Sequence, residues 1–132
     1  MSVSDPIADY LTIIRNGLKA GFKYVNIPAS NIKRQITRLL LDQGYIKKYI
    51  IIEDGKQNLI RIWLKYDKDG NPAINTIKRV STPGRREYVG SDKLPRVKNN
   101  LGVAVLTTSK GIMTAREALR NHIGGEVLCY IW

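Results

Sequence analysis

Apolar residues recur along the start of the chain at the spacing of one helix face: Ile7, Leu11, Ile14 and Leu18 stand four, three and four apart. The pattern predicts a helix from about Asp5 to Ala20, capped by Ser4, with Pro6 in its first turn and Gly21 ending it. Its opposite side carries Arg15, Asn16 and Lys19. Tyr24 to Ile27 then alternates as a strand until Pro28. A second helix is expected from Ser30 or Asn31 to Gln43, with Ile32, Ile36, Leu39 and Leu40 inward, a wholly basic outer face of Lys33, Arg34 and Arg38, and Gly44 as the stop.

From Tyr45 to Tyr66 the pattern changes to a hairpin: a β-rich run ending Ile50-Ile51-Ile52, a turn at Asp54-Gly55, and a return from Leu59 to Tyr66. Ile60, Ile62, Leu64 and Tyr66 share one face of that return and should be its core side. The polar run from Asp67 to Pro72 is turn chemistry throughout and marks the expected boundary between a domain over 1–66 and one over 67–132. In the second half, Ala73 to Val80, Glu87 to Val89, Val103 to Thr107 and Glu126 to Trp132 read as strands, and 81–86 and 94–102 as irregular. Thr114 and Glu117 form a capping box for a short helix ending near His122. The expected class is α+β: two helices on a short sheet, then a mainly antiparallel β domain with one short helix.

Charge changes the picture more than composition does. Of the 132 residues 43% are hydrophobic, enough for a core, while 22 Lys and Arg face 11 Asp and Glu for a net +11. The excess is spread over both halves, densest from Lys78 to Lys98, where Lys78, Arg79, Arg85, Arg86, Lys93, Arg96 and Lys98 face only Glu87 and Asp92. A chain this basic suits a polyanion, nucleic acid first. Without an apolar run of spanning length or a signal-peptide plan, it reads as a cytoplasmic protein with no membrane partner.

Enzyme templates fit poorly. Phosphate-loop, dinucleotide, zinc-protease and nucleophile-elbow motifs are all missing, so no catalytic residue, metal or cofactor is expected. His122 stands alone as a helix-end surface residue, Cys129 lies in an apolar strand as a small hydrophobe, and Asp67 and Asp69 lack the later carboxylate of a calcium loop. Ser109-Lys110 has a nucleophilic flavour, but adjacent turn residues point apart. The loop makes more sense as an RNA reader. Thr107, Thr108 and Ser109 offer hydroxyls, Lys110 a charge, and Gly111 a close backbone approach, which suits the 2′-hydroxyls and phosphates of the RNA minor groove. Pro83-Gly84-Arg85-Arg86 is a second such loop, with Tyr88 near enough to stack on a base. The charge alone also permits an architectural DNA-binding protein, although no recognition helix or intercalating wedge is evident.

The run Thr107 to Thr114, then Arg116-Glu117-Ala118, then Ile123 to Trp132, closely resembles the bacterial form of the eighth protein of the small ribosomal subunit. Asp5 to Asp9 with Arg15-Asn16, Val25 to Ser30, Gln43 to Ile46, Pro83 to Arg86 and Leu94 to Val97 are similar to the family's other blocks, in order. The resemblance implies two α+β domains and a primary binder of the central domain of small-subunit ribosomal RNA, acting early in assembly. It implies that Thr107 to Gly111 enter the main RNA site, helped by Gly124, Gly125 and Glu126. The N-terminal domain would touch a second RNA segment, for which Arg15, Asn16 and Lys33 are the candidates. It further implies a monomer when free, the fifth small-subunit protein as neighbour in the ribosome and, in some members, repression of their own messenger. Asn31, Thr82, Ala115 and Leu119 depart from the family pattern, removing possible phosphate contacts at 31, 82 and 119.

Overall fold

The computed structural model describes residues 5–98 and 101–132; the Ser4 cap and positions 99 and 100 of the irregular stretch lie outside the described residues. The order of elements is α1 (Pro6–Ala20), β1 (Tyr24–Pro28), α2 (Asn31–Asp42), β2 (Ile46–Ile52), β3 (Leu59–Leu64), β4 (Ile77–Arg79), β5 (Tyr88–Val89), β6 (Val103–Thr108), β7 (Gly111–Thr114), α3 (Ala115–Arg120) and β8 (Gly125–Ile131). Among the described residues, three helices and two antiparallel sheets give the expected α+β class. The chain forms two compact units, Ile7–Asn75 and Thr76–Trp132, the latter joined by Asp5 and Pro6.

In the first unit a sheet of order β1-β3-β2 carries the two helices. Tyr10, Leu11 and Ile14 of α1, Ile36, Leu39 and Leu40 of α2, and Val25, Ile27, Ile60, Ile62 and Leu64 of the sheet are buried together as its core. Burying such side chains contributes roughly 1.5–3 kcal/mol each against leaving them in water. Ser30 caps α2 by accepting from the Lys33 N–H. The alternation expected over β3 holds for Ile60, Ile62 and Leu64. Tyr66 falls outside the strand; it bridges Pro72, and its hydroxyl donates to the Phe22 carbonyl at 2.6 Å. The polar run 67–72 is folded into this unit, because Asp67 accepts from the Asp69 and Asn71 amides and the Ala73 N–H donates to the Lys65 carbonyl.

The second unit is built around β8, which pairs with β4, β5 and β6, while β7 extends the sheet beyond β6. Leu106, Met113, Ala115, Ala118 and Val127 form its core on one sheet face, joined by Val97 and Ala104. Ile77, Val105, Cys129 and Ile131 lie buried on the other face. The strand expected over 73–80 shrinks to Ile77–Arg79, since Ala73 turns toward Lys65 and the buried Ile74 belongs to the first unit. The loop expected over 108–111 is shorter than that: Ser109 and Lys110 alone make the turn, and Gly111 begins the strand β7. Thr114 accepts from the Glu117 N–H, so the cap expected for α3 is formed. His122 follows α3 with φ +54° and is exposed.

Candidate nucleic-acid interface

Ser109 and Lys110 are the two turn residues of the β6–β7 hairpin, which closes on the pair Thr108 and Gly111. Gly111 sits at φ +106°, a conformation that a residue with a Cβ adopts only with strain, and this glycine lets the hairpin fold back at once. Thr108 holds the turn: its hydroxyl donates to the Gly111 carbonyl at 2.9 Å and accepts from the Lys110 N–H at 3.1 Å. Of the three hydroxyls expected to read RNA, Thr108 is therefore committed to the loop itself, and Ser109 with Lys110 stands exposed at the tip.

Gly124 and Gly125 lie beside this hairpin. A Cβ on Gly125 would come within 2.3 Å of the Thr107 carbonyl oxygen, and one on Gly124 within 2.3 Å of that of Val89. The two glycines let β5 and β6 close on the start of β8. Thr107, Glu126 and Tyr88 then form one row across three strands, through the pairs Thr107 with Glu126 and Tyr88 with Glu126. Tyr88 is 69% exposed. The sheet thus brings Thr107, the hairpin tip, the glycine pair and Tyr88 to one end of the second unit.

The Pro83-Gly84 turn adjoins this row and is closed by mutual backbone bonds between Thr82 and Arg85. Arg86 pairs with Glu126 at 3.0 Å, and the same carboxylate accepts from the buried Ser81 hydroxyl, which in turn accepts from the Glu87 N–H. Glu126 is a brace for the turn. Arg85 pairs with Glu87 at 3.1 Å but stays highly exposed, whereas Arg79 is held by Asp5 and the Leu128 carbonyl. Within the dense basic stretch, Lys78, Lys93 and Arg96 are exposed without an ion pair among the described residues.

Arg15, Asn16 and Lys33 stand in the first unit. Asn16 is exposed and Arg15 half-buried on α1. Lys33 corrects the sequence reading: it is buried, and its Nζ donates to the Pro28 carbonyl at 3.1 Å. Positions 33, 36, 37 and 40 share the inward stripe of α2, so the long lysine stem packs inward and its head finds a carbonyl. The exposed positions of α2 are Asn31, Gln35, Arg38, Leu41 and Asp42, so its outer face is mixed, not wholly basic. Among the described residues there is no carboxylate, histidine and cysteine cluster fit to hold a metal and no helix long and apolar enough to cross a membrane.

A second group went unnoticed in the sequence. On the sheet face turned away from the helices, Arg61 lies 4.3 Å over the Tyr24 ring and 5.9 Å from that of Trp63, and Lys48 lies 4.5 Å over Trp63. The signal was present, for Arg61 and Trp63 alternate with the core residues of β3.

An α+β protein with so large a positive excess and an exposed turn of hydroxyl and amine groups has the make-up of one that sits against a polyanion. The sequence profile of one family, "Ribosomal protein S8", matches residues 5–132. Curated relatives named small ribosomal subunit protein uS8 from Syntrophobacter fumaroxidans and from Caldicellulosiruptor bescii are each 54% identical over 132 residues, all of both chains. The one from Clostridioides difficile is 48% identical over the same full length. The chain belongs to the ribosomal protein S8 family, which is a family of ribosomal structural proteins and not of enzymes.

Proposed function

We propose that the protein is a structural constituent of the small ribosomal subunit that binds the central domain of its RNA during assembly, through the end of the second unit where the β6–β7 hairpin stands. The observation that carries this is the tip itself: Ser109 and Lys110 are exposed on a turn whose geometry is fixed internally by Thr108 and Gly111. A preformed turn presents its serine hydroxyl and lysine amine to 2′-hydroxyls and phosphates without first being ordered. Arg85, Lys78, Lys93 and Arg96 add sequence-independent attraction, and Tyr88 offers a ring to an unpaired base. The finer parts of the reading are a cytoplasmic monomer before assembly, the fifth small-subunit protein as neighbour, and repression of its own messenger through the same interface.

The test is binding of an A-form hairpin from the central domain, against a random RNA duplex and duplex DNA, over a range of salt. Affinity should fall steeply with salt, and Arg85→Ala should weaken all three ligands and lower the salt slope by about one. Ser109→Ala should weaken the cognate hairpin several-fold and leave the random duplex unchanged. Equal losses on both, or preference for DNA, would refute the assignment.

A further inference from the structure

β8 breaks the alternation of a regular strand. Val105 pairs with Cys129 and Leu106 with Val127, so Leu128 is an extra residue opposite β6. The faces change there: Cys129 and Ile131 share a face with Val105 and Val103, whereas Val127 packs with Leu106 in the core on the other face. Strict alternation from Cys129 would turn Glu126 toward that core and set Val127 beside Thr107. The bulge therefore puts Glu126 into the row with Thr107 and Tyr88. Its carbonyl takes two donors, the Val80 N–H at 3.0 Å and Arg79 Nη1 at 2.7 Å. The other two nitrogens of that guanidinium go to Asp5, Nε to Oδ2 at 3.3 Å and Nη2 to Oδ1 at 3.4 Å. The side chains are 12% exposed for Arg79 and 19% for Asp5.

We propose that Arg79 is a positioning residue for the end of the second unit that carries the β6–β7 turn: it braces the Leu128 bulge and so sets Gly124, Gly125 and Glu126 beside Thr107 and Tyr88. The proposal rests on the reading of that end as the RNA interface. Arg79 belongs to the densest basic stretch of the chain, where Lys78, Lys93 and Arg96 are exposed, yet all three of its nitrogens are engaged inside the protein. A bond from a guanidinium to a carbonyl is charge-assisted, and the planar fork lets one side chain hold that carbonyl and both carboxylate oxygens at once. A lysine could hold one end or the other. Asp5 comes from 74 residues away in the chain, so the bulge is tied by a contact that no strand pairing supplies. The acid also cancels the charge, which makes Arg79 a joint in the sheet and leaves phosphate to the exposed cations.

The experiment uses the full chain, the central-domain hairpin and the random RNA duplex, under conditions where each variant is folded by circular dichroism. Arg79→Lys keeps the charge and loses the fork; Arg79→Met keeps the stem and loses the charge. Both should weaken the cognate hairpin several-fold, Met more than Lys, with random-duplex affinity and the salt slope unchanged. Asp5→Asn should weaken the cognate hairpin as Arg79→Lys does, although Arg79 is intact. In isotope-labelled protein without RNA, the amide resonances of Thr107, Gly125 and Glu126 should move in all three variants. If Arg79→Met does not fold, Arg79→Lys and Asp5→Asn carry the comparison. A salt slope lowered by about one, with equal losses on both RNAs and none for Arg79→Lys, would make Arg79 a phosphate contact and overturn the proposal. Unmoved resonances, or an unchanged preference for the cognate hairpin, would overturn it as well. Ser109→Ala separates the two readings: if it alone weakens the cognate hairpin, the turn reads RNA and Arg79 positions nothing, whereas if only the Arg79 and Asp5 variants do, the positioning stands and the serine's role falls.

Discussion

Glu126 ties a buried hydroxyl to an exposed arginine, and removing it separates two effects that a contact map merges. The Ser81 hydroxyl is fully buried and donates to this carboxylate. Glu126→Ala leaves that donor without its acceptor, which costs about 1–3 kcal/mol. The lost pair with Arg86 adds well under about 1 kcal/mol, because the arginine side chain is 47% exposed and water screens it. The sum expected for Glu126→Ala is about 2 kcal/mol. Ser81→Ala should cost a similar amount, since it also deprives the Glu87 N–H of an acceptor. The double variant should fall short of additivity by about 1–2 kcal/mol, because the stranded hydroxyl is then gone. Urea unfolding followed through Trp132, which lies in the same unit, should show the midpoint of Glu126→Ala lowered by about 1 M at unchanged slope. A loss under about 0.5 kcal/mol, or a strictly additive double variant, would refute the view that Glu126 braces the turn through Ser81.

Glu126→Gln keeps an acceptor for Ser81 while removing the charge beside Arg86, so filter binding at low salt should show tighter non-specific RNA binding with a stability loss below about 1 kcal/mol. Gly125→Ala forces a methyl against the Thr107 carbonyl and should destabilise by about 1–3 kcal/mol in the same urea assay. Lys33→Met should leave RNA affinity and its salt slope unchanged, because the amine is buried against the Pro28 carbonyl. Burial pushes the Cys129 thiol up to about 12 from an ordinary value near 9. Between these values the unfolded chain has lost the proton that the folded one keeps, so stability is intact below pH 9 and falls by about 1 kcal/mol per unit as pH rises toward 12. Thermal unfolding of Cys129→Ala should show a shallower alkaline decline than the parent chain.

Elements whose pattern reflects a single dominant force were legible in the sequence. α1, α2 and β3 follow the apolar periods of their segments, β6 follows its unbroken apolar run, and the Thr114 cap forms where the capping box places it. Lys33 has the residue type of an outer face, but its place on the inward stripe of α2 outweighs its charge once the stem packs and a carbonyl meets the head. β7 was missed because Ser109-Lys110 lacks the usual two-residue hairpin signature; the conformational freedom sits one residue later, at Gly111. The division between the units follows long-range pairing that no local composition records: the polar turn at 67–72 looks like a linker but folds back on Lys65. The chemistry of Thr107 to Gly111 marks them as candidates, but which hydroxyl faces outward depends on hydrogen bonds within the turn. The aromatic and cationic rows of the outer sheet face join residues of three strands brought into register, which no single segment's alternation displays.

β8 follows β4, β5 and β6 in the chain and is the strand to which all three pair, joining Ile77 to Ile131 and Val103 to the same residue. During synthesis the first unit can close its hairpin and helices on contacts already made, while the second has three strands waiting for a common partner. Such pairing across distant positions is slow to nucleate and cooperative once begun. The β6–β7 hairpin can close on itself beforehand, but the row that sets Thr107 beside Glu126 and Tyr88 forms late and all at once, when β8 arrives. A chain interrupted before Gly125 would present a folded first unit and a basic, unassembled remainder, open to proteolysis.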